Sequence, residues 1–489
     1  MSTRRITLLS SAAFLALGVV AEAGPWTETG DAQTRSDVEI AVAAGLLNDI
    51  TMQWPMPWTG ILGQLQDDQR IAALPDDVRE AVERLQAQGK TDLKLHRAHA
   101  WIGFDATSEP ATVRGFDALG RAKEQGQIGY EYVARSTAVH LEVGVQANGS
   151  GDKQTLVLDD SYIAQRLDDY VIYAGYQSHW WGPGWVSALQ LSTNARPMPQ
   201  IGFSRIHSTP SRWPLLRWLG PWQIAGFVGV LNGPRTNKNT GFVALRFEFS
   251  PLPGLEIGLS RTTQMCGSGH QCQPFVDYFT FSNDPTHVNS TNDQGSIEIR
   301  HTGMLLTRPY ALYAQFMNED SNPIINSGTS RLYGGSLWLP VMGLSTRVTL
   351  EYANSLPSKN IFGGYTQHGG AYNNYDYVDG MRYRNRTLGF SLDSDSVLYT
   401  AQVSVIDPQR RTWSLSYHRA LVSNALNTLG NVVTSSPVRF NALEAQVTVP
   451  LQWGEYRARI KAAGRWQDDQ PRPKQGSLAA FEVALKFGI

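Results

Sequence analysis

The chain has 489 residues, and its 42 Lys and Arg against 43 Asp and Glu leave no basic excess of the kind that marks a nucleic-acid partner. Mean hydropathy is −0.28, and after residue 23 no apolar run reaches the roughly 20 residues that a membrane-spanning helix needs. Glycine (45), tyrosine (19) and tryptophan (14) are plentiful, as turn-rich strands with aromatic girdles around a wet lumen require.

Residues 1–23 carry the parts of a secretory signal: Arg4 and Arg5, a mostly apolar stretch from Ile6 to Val20, and Ala21-Glu22-Ala23 before Gly24. Cleavage there starts the mature chain near Gly24 and sends it out of the cytoplasm. Residues 24–92 then read as a helical segment. Ser36 to Ile50 places Val38, Ala41, Val42, Gly45 and Leu46 at helical spacing, with Ser36 and Asp37 as caps. A Pro/Trp-rich break follows at Trp54-Pro55-Met56-Pro57-Trp58, and a further helix is expected between Gly60 and Ala73. Pro75, Asp76 and Asp77 open another helix, which is expected to end before Gly89.

From about residue 93 to 489 the period becomes two. Val243, Leu245, Phe247 and Phe249 alternate with Ala244, Arg246 and Glu248; Leu255, Ile257 and Leu259 alternate with Glu256, Gly258 and Ser260. Leu344 to Tyr352 and Tyr456 to Ala462 repeat the pattern, and the last residues set Phe481, Val483, Leu485, Phe487 and Ile489 against Glu482, Ala484, Lys486 and Gly488. A soluble sandwich also alternates. The number of strands, the export signal and the aromatic terminal strand favour a transmembrane antiparallel β-barrel, and roughly 22 residues per strand and connection predicts about 18 strands. The stretches 301–308 and 340–343 read as tight turns, whereas 318–330, 354–380 and 420–438 read as long loops. Counting back from the C-terminus puts 354–380 at the end of the tight turns, which marks a missing strand before Ala420.

Several segments carry candidate chemistry. Between Tyr170 and Arg205, Trp180, Trp181 and Trp185 surround Gly182-Pro183-Gly184, and Asn194-Ala195-Arg196-Pro197 follows. Indole faces suit sugar stacking, and they equally suit a packed plug or girdle; Asn and Arg suit hydroxyls and uronic carboxylates. Cys266 and Cys272 form a close pair that reads as a disulfide in an exported protein. Residues 360–380 set Tyr365, Tyr372, Tyr375 and Tyr377 among Gly and Asn, the composition of an adaptable recognition surface or of a solvated loop. Arg382, Arg384 and Arg386 alternate as a lumenal basic stripe, able to meet an anionic glycan or lumenal carboxylates.

No hydrolase elbow, zincin motif, P-loop or dinucleotide fingerprint occurs. His96 and His99 lie on a period-two segment, and Asp393 and Asp395 lack the further spacing of a calcium loop, so neither pair is assigned a metal.

The Trp-Gly-Pro-Gly and Asn-Ala-Arg-Pro region, the Cys266–Cys272 loop and the run Gly380–Ser396, with Tyr383-Arg384-Asn385-Arg386 before Gly389, resemble the Wzi capsule assembly family. That resemblance implies an outer-membrane β-barrel of a Gram-negative bacterium, preceded by a small periplasmic helical segment. It implies a lectin-like function that binds and anchors capsular or other exopolysaccharide, without catalysis, cofactor or metal. Implied partners are the polysaccharide, outer-membrane lipid and the polysaccharide export machinery. The alternative is a porin-like or export channel.

Overall fold

The computed structural model describes residues 26–149, 154–272, 291–319, 328–366, 368–423, 430–453, 456–470 and 478–488. The expected signal at 1–23 and the terminal Ile489 lie outside the described residues. Eighteen antiparallel strands form one closed ring, beginning at Ala98–Thr107 and ending at Leu478–Gly488. These two close the barrel, with Trp101 opposite Gly488 and Thr107 opposite Glu482. Two short segments, Leu156–Val157 and Gly363–Thr366, pair with neighbouring strands as extensions of the wall.

The pleat sends alternate side chains to opposite faces, and here the usual polarity is inverted. On Leu478–Gly488, Phe481 is 70% exposed and Val483 50%, while Glu482 between them is 2% exposed. On Thr240–Leu252 the charged Arg246 and Glu248 are fully buried. Arg246 donates to Glu248 at 2.7 Å and to Glu298 at 3.1 Å. Apolar groups outside and paired charges inside are what an apolar solvent around a polar interior demands.

The two ends of the barrel differ. At one end strands join through tight hairpins: Leu306 and Thr307 have φ of 49° and 71°, and Met342 and Gly343 have 53° and 78°. Positive φ at both central residues matches the twist of a two-residue hairpin. We call this the turn end and its opposite the loop end. The strand missing from the sequence count is supplied by a tight turn at 407–411, which joins Val397–Ile406 to Thr412–Val422. With it, the connection after Leu344–Asn360 falls at the loop end. The strand itself runs through Asn360, so the loop begins later than its composition suggests.

The helical segment consists of α1 (Ala32–Ala43), α2 (Trp58–Leu62), α3 (Asp68–Ala72) and α4 (Asp76–Asp92). The cap of α1 is Asp31, whose carboxylate accepts from the amides of Gln33 and Thr34; the expected caps Ser36 and Asp37 are buried inside the helix. They serve tertiary contacts instead. Ser36 accepts from the Trp338 indole at 2.8 Å, and Asp37 pairs with Arg84 of α4 at 2.6 Å. Gly89 does not end α4. A Cβ there would stand 2.9 Å from both Leu62 and Trp58, so glycine allows two helices to approach closely. Helix α1 packs on the wall strands Asn292–Leu305 and Arg308–Glu319 near their turn end, where Glu39 pairs with Arg300 at 2.8 Å. The helices therefore close the turn end from within the fold.

Candidate functional site

After Tyr170–Gly175 the chain leaves the wall and returns only at Gln200–Arg205. The intervening segment crosses the lumen, because Gly and Pro break the strand and its aromatic side chains find partners inside. Trp180 and Trp181 pair as a two-stranded ribbon with Trp54 and Gln53 of the helical segment. Trp180 donates to the Gly184 carbonyl at 3.0 Å and meets Phe116 edge-on at 5.6 Å. Arg35 of α1 donates to the carbonyls of Pro183 and Gly184 at 2.7 and 3.0 Å and to Glu39 at 3.0 Å. Two guanidiniums lie over the Trp185 ring, Arg35 at 4.3 Å and Arg347 at 3.2 Å. Glu351 accepts from the amides of Trp185 and Val186 at 2.8 and 3.2 Å. A Cβ on Gly184 would sit 2.1 Å from the Ser187 carbonyl, so the close turn requires glycine.

The three indoles are between 0% and 2% exposed. Of the two uses open to them in the sequence, sugar stacking and packing, the structure gives them packing. The same holds for the residues that follow. Asn194, 2% exposed, donates to the carbonyl and hydroxyl of Thr387 at 2.9 Å. Arg196, 4% exposed, bonds Asp159, Gln146 and Gln125.

The later candidates join this plug. Tyr372 is fully buried; its hydroxyl donates to the Leu189 carbonyl and its amide to Glu319. Tyr377 is also buried, donates to the Cys266 carbonyl at 3.2 Å and stacks on His270 at 4.3 Å. Cys266 and Cys272 are disulfide-linked, so the tyrosine loop packs on the cystine loop. Tyr375 is 84% exposed, and the Tyr365 side chain lies outside the described residues.

The arginine run is not a stripe on a barrel strand. Arg382–Tyr383 and Arg386–Thr387 form a small separate hairpin, with Arg384 and Asn385 at its tip with φ of 50° and 61°. Two consecutive positive φ values reverse the chain, which ends the alternation that the sequence suggested. Arg382 is buried on Asp393 at 2.8 Å, Arg386 is half-buried within 3.4 Å of Asn194, and Arg384 is half-buried beside the Tyr383 ring. Asp393 and Asp395 occupy left-handed turn positions, φ 65° and 50°.

Three candidate clusters thus become one assembly, held at the loop end by bonds between segments nearly two hundred residues apart. Sequence reasoning missed Arg114 and Arg121, which the fold brings to the same region. Arg121 bonds Asp159 at 3.2 Å and the Thr193 carbonyl at 2.6 Å. Burial, then repulsion from Arg121 and Arg386, holds Arg114 well below its ordinary value, with Glu482 opposing and Arg196 adding to the repulsion. Nothing local marks these arginines, since only closure of the barrel collects them. Phe362, 91% exposed in the loop after Leu344–Asn360, was also missed and is, among the described residues, the aromatic most open to solvent there. A small cleft beside the plug is lined by Gln177, His179, Thr193, Arg196, Gln200 and Leu388, among others. The site offers guanidiniums, amides and rim aromatics, which suit hydroxylated or acidic ligands.

The family model for the capsule assembly protein Wzi matches residues 97–477. A 55.8 kDa protein from the cps region of Klebsiella pneumoniae is 24% identical over 314 residues, a match covering 62% of this chain and 60% of that protein. In structure the chain is similar to Wzi of Escherichia coli, described as an outer-membrane, carbohydrate-binding β-barrel involved in group 1 capsule assembly. The TM-score is 0.79 at 18% identity, over 94% of this chain and 98% of the other. A likeness to the outer-membrane protein OprD of Pseudomonas aeruginosa has a TM-score of 0.44 at 10% identity, over 81% of this chain and 96% of that one.

Proposed function

Since the chain belongs to the Wzi family of capsule assembly proteins, we propose that it is a lectin-like barrel of the outer membrane. It binds exported capsular or other exopolysaccharide at its loop end and anchors it to the cell surface, without catalysis. The signal at 1–23 delivers it, residues 24–92 close the periplasmic side, and the barrel carries the binding face. The observation that carries this reading is the filled lumen. Helix α1 and the segment 176–199 are packed through it by buried bonds, so the wall serves as a scaffold and the loop end as the place of contact. The same observation disfavours the channel reading, because among the described residues α1 and the segment 176–199 occupy the lumen that a polymer would thread.

Contacts to the glycan are assigned to groups that reach solvent at the loop end, Phe362, Tyr375, Arg384 and Arg386. Trp180, Trp181, Trp185, Asn194, Arg196, Tyr372, Tyr377 and Arg382 hold that surface in place. The test is the split of polysaccharide between cells and medium in a strain lacking the chain. Normal total polymer with most of it shed supports anchoring, whereas unchanged retention refutes it. Tyr375→Ala with Arg384→Ala should lower binding of the purified polysaccharide while the barrel still folds.

A further inference from the structure

Connections at the turn end are mostly tight, but the one between Gln200–Arg205 and Trp222–Leu231 is long and carries a 3₁₀ helix, Pro214–Leu219. Seven consecutive residues from Arg212 to Trp218 are exposed. Trp213 is 72% exposed, Leu215 85%, Leu216 40% and Trp218 62%, and Arg212 and Arg217 alternate with them. Such a contiguous patch of two tryptophans, two leucines and two arginines on a short rigid element calls for an occupant.

The element is held against the outer wall rather than hanging below it. Trp218 meets Phe249 edge-on at 5.8 Å, and Phe249 stacks on Phe247 at 5.7 Å. Both phenylalanines lie on the strand face opposite Arg246 and Glu248, which point into the lumen. Phe249 is consequently only 9% exposed. Gly220, at φ 63°, fixes this placement, since a Cβ there would stand 1.9 Å from the Ser250 carbonyl. Trp222 continues the aromatic row, 6.0 Å from Phe247 and beneath the Arg205 guanidinium at 3.9 Å. The patch is therefore continuous with the apolar belt of the barrel, at its turn-end rim.

We propose that residues 212–218 form a membrane-interface anchor, seated among the headgroups of the periplasmic leaflet and binding anionic phospholipid. Tryptophan places an apolar ring and a polar N–H at that depth, and arginine meets the phosphates while its stem stays on apolar surface. The occupant is lipid because the patch is continuous with the lipid-facing belt and carries the charge that complements an anionic headgroup. This inference rests on the outer-membrane reading above.

Leu215→Cys, labelled with an environment-sensitive fluorophore, tests it in the full chain, because Cys266 and Cys272 are already paired. The labelled barrel is placed in phosphatidylethanolamine and phosphatidylglycerol vesicles bearing a quencher near the lipid carbonyls. Gln409→Cys, on an exposed turn at the same end, and Leu350→Cys, 62% exposed on the outer wall, are the controls. The expected result is quenching at 215 severalfold above that at 409, falling when phosphatidylcholine replaces phosphatidylglycerol or when Arg212 and Arg217 become Gln. Equal quenching at 215 and 409, with 350 quenched, overturns the anchor and leaves the barrel reading standing. Absence of quenching at 350 overturns both. Protection of 215 from aqueous iodide in native membranes but not in vesicles means a protein covers the patch, and also overturns the proposal.

Discussion

Arg35→Met replaces the guanidinium that joins α1 to the lumen plug with a side chain of similar reach and no donors. Arg35 is 1% exposed, donates to two plug carbonyls and Glu39, and lies over Phe116 and Trp185. Burial lowers its pKa and Glu39 opposes that, so the pair is what keeps the charge acceptable inside. Methionine preserves much of the packing, so the loss is electrostatic. The Pro183 carbonyl is orphaned, the Gly184 carbonyl keeps the Trp180 donor, and Glu39 keeps Arg300. An orphaned buried acceptor costs about 1–3 kcal/mol, and breaking one arm of a buried ion pair brings the total to roughly 3–5 kcal/mol. The wall strands keep their ladder bonds, so the damage should fall on the plug. The expected results are protease cleavage within 176–199, a lowered urea midpoint and new ion conductance in planar bilayers, all partly restored by Arg35→Lys. A silent bilayer together with a midpoint change worth less than about 1 kcal/mol would refute the idea that this residue holds the lumen closed.

Further outcomes follow from the same structure. Leu350→Arg, on the outer wall, should cost about 2–4 kcal/mol in lipid vesicles, and an unchanged folding equilibrium there would contradict a lipid-facing position. Replacing both cysteines by serine opens a loop with a sequence separation of 6, worth about 2 kcal/mol of chain entropy. It should raise protease cleavage around Tyr377 while leaving barrel content by circular dichroism unchanged. His179 stacks on Phe227 at 4.7 Å, and burial lowers its pKa to about 4. A depressed folded value means the neutral form is favoured, so its stabilisation is present above about pH 6.5 and fades as pH falls toward 4. Because His179 lines the cleft and is only partly covered, the loss is about 2 kcal/mol rather than the full linkage value. His179→Gln should flatten the change in urea midpoint between pH 7 and pH 4.5, and an identical slope in the variant would remove His179 from the account.

The barrel was legible in the sequence because strand period, hairpin residues and the polarity of each face are local properties. Arg246 and Glu248 read as lumenal from alternation alone, and they are. The cap of α1 was misplaced because Ser36 and Asp37 have the right chemistry for a cap, but Trp338 and Arg84 recruit them across the fold. Gly89 was read as a stop signal because glycine is a poor helix former, yet packing against Trp58 and Leu62 outweighs that preference of about 1 kcal/mol.

The candidate site was legible in composition and not in role. Aromatic residues among glycine and proline look the same in sequence whether their faces are open or covered. Trp180, Trp181, Trp185, Tyr372 and Tyr377 stand out in the sequence, but their faces are taken by Arg35, Phe116, Arg347, His270 and backbone from distant segments. By itself the sequence determined the strand period, the inverted polarity of the wall and the family. Only the tertiary structure decided which aromatics are buried, that three clusters make one plug, and that Arg114, Arg121 and Arg196 meet. Burial and charge proximity depend on residues far apart in the chain, and closing the ring is what brings them together.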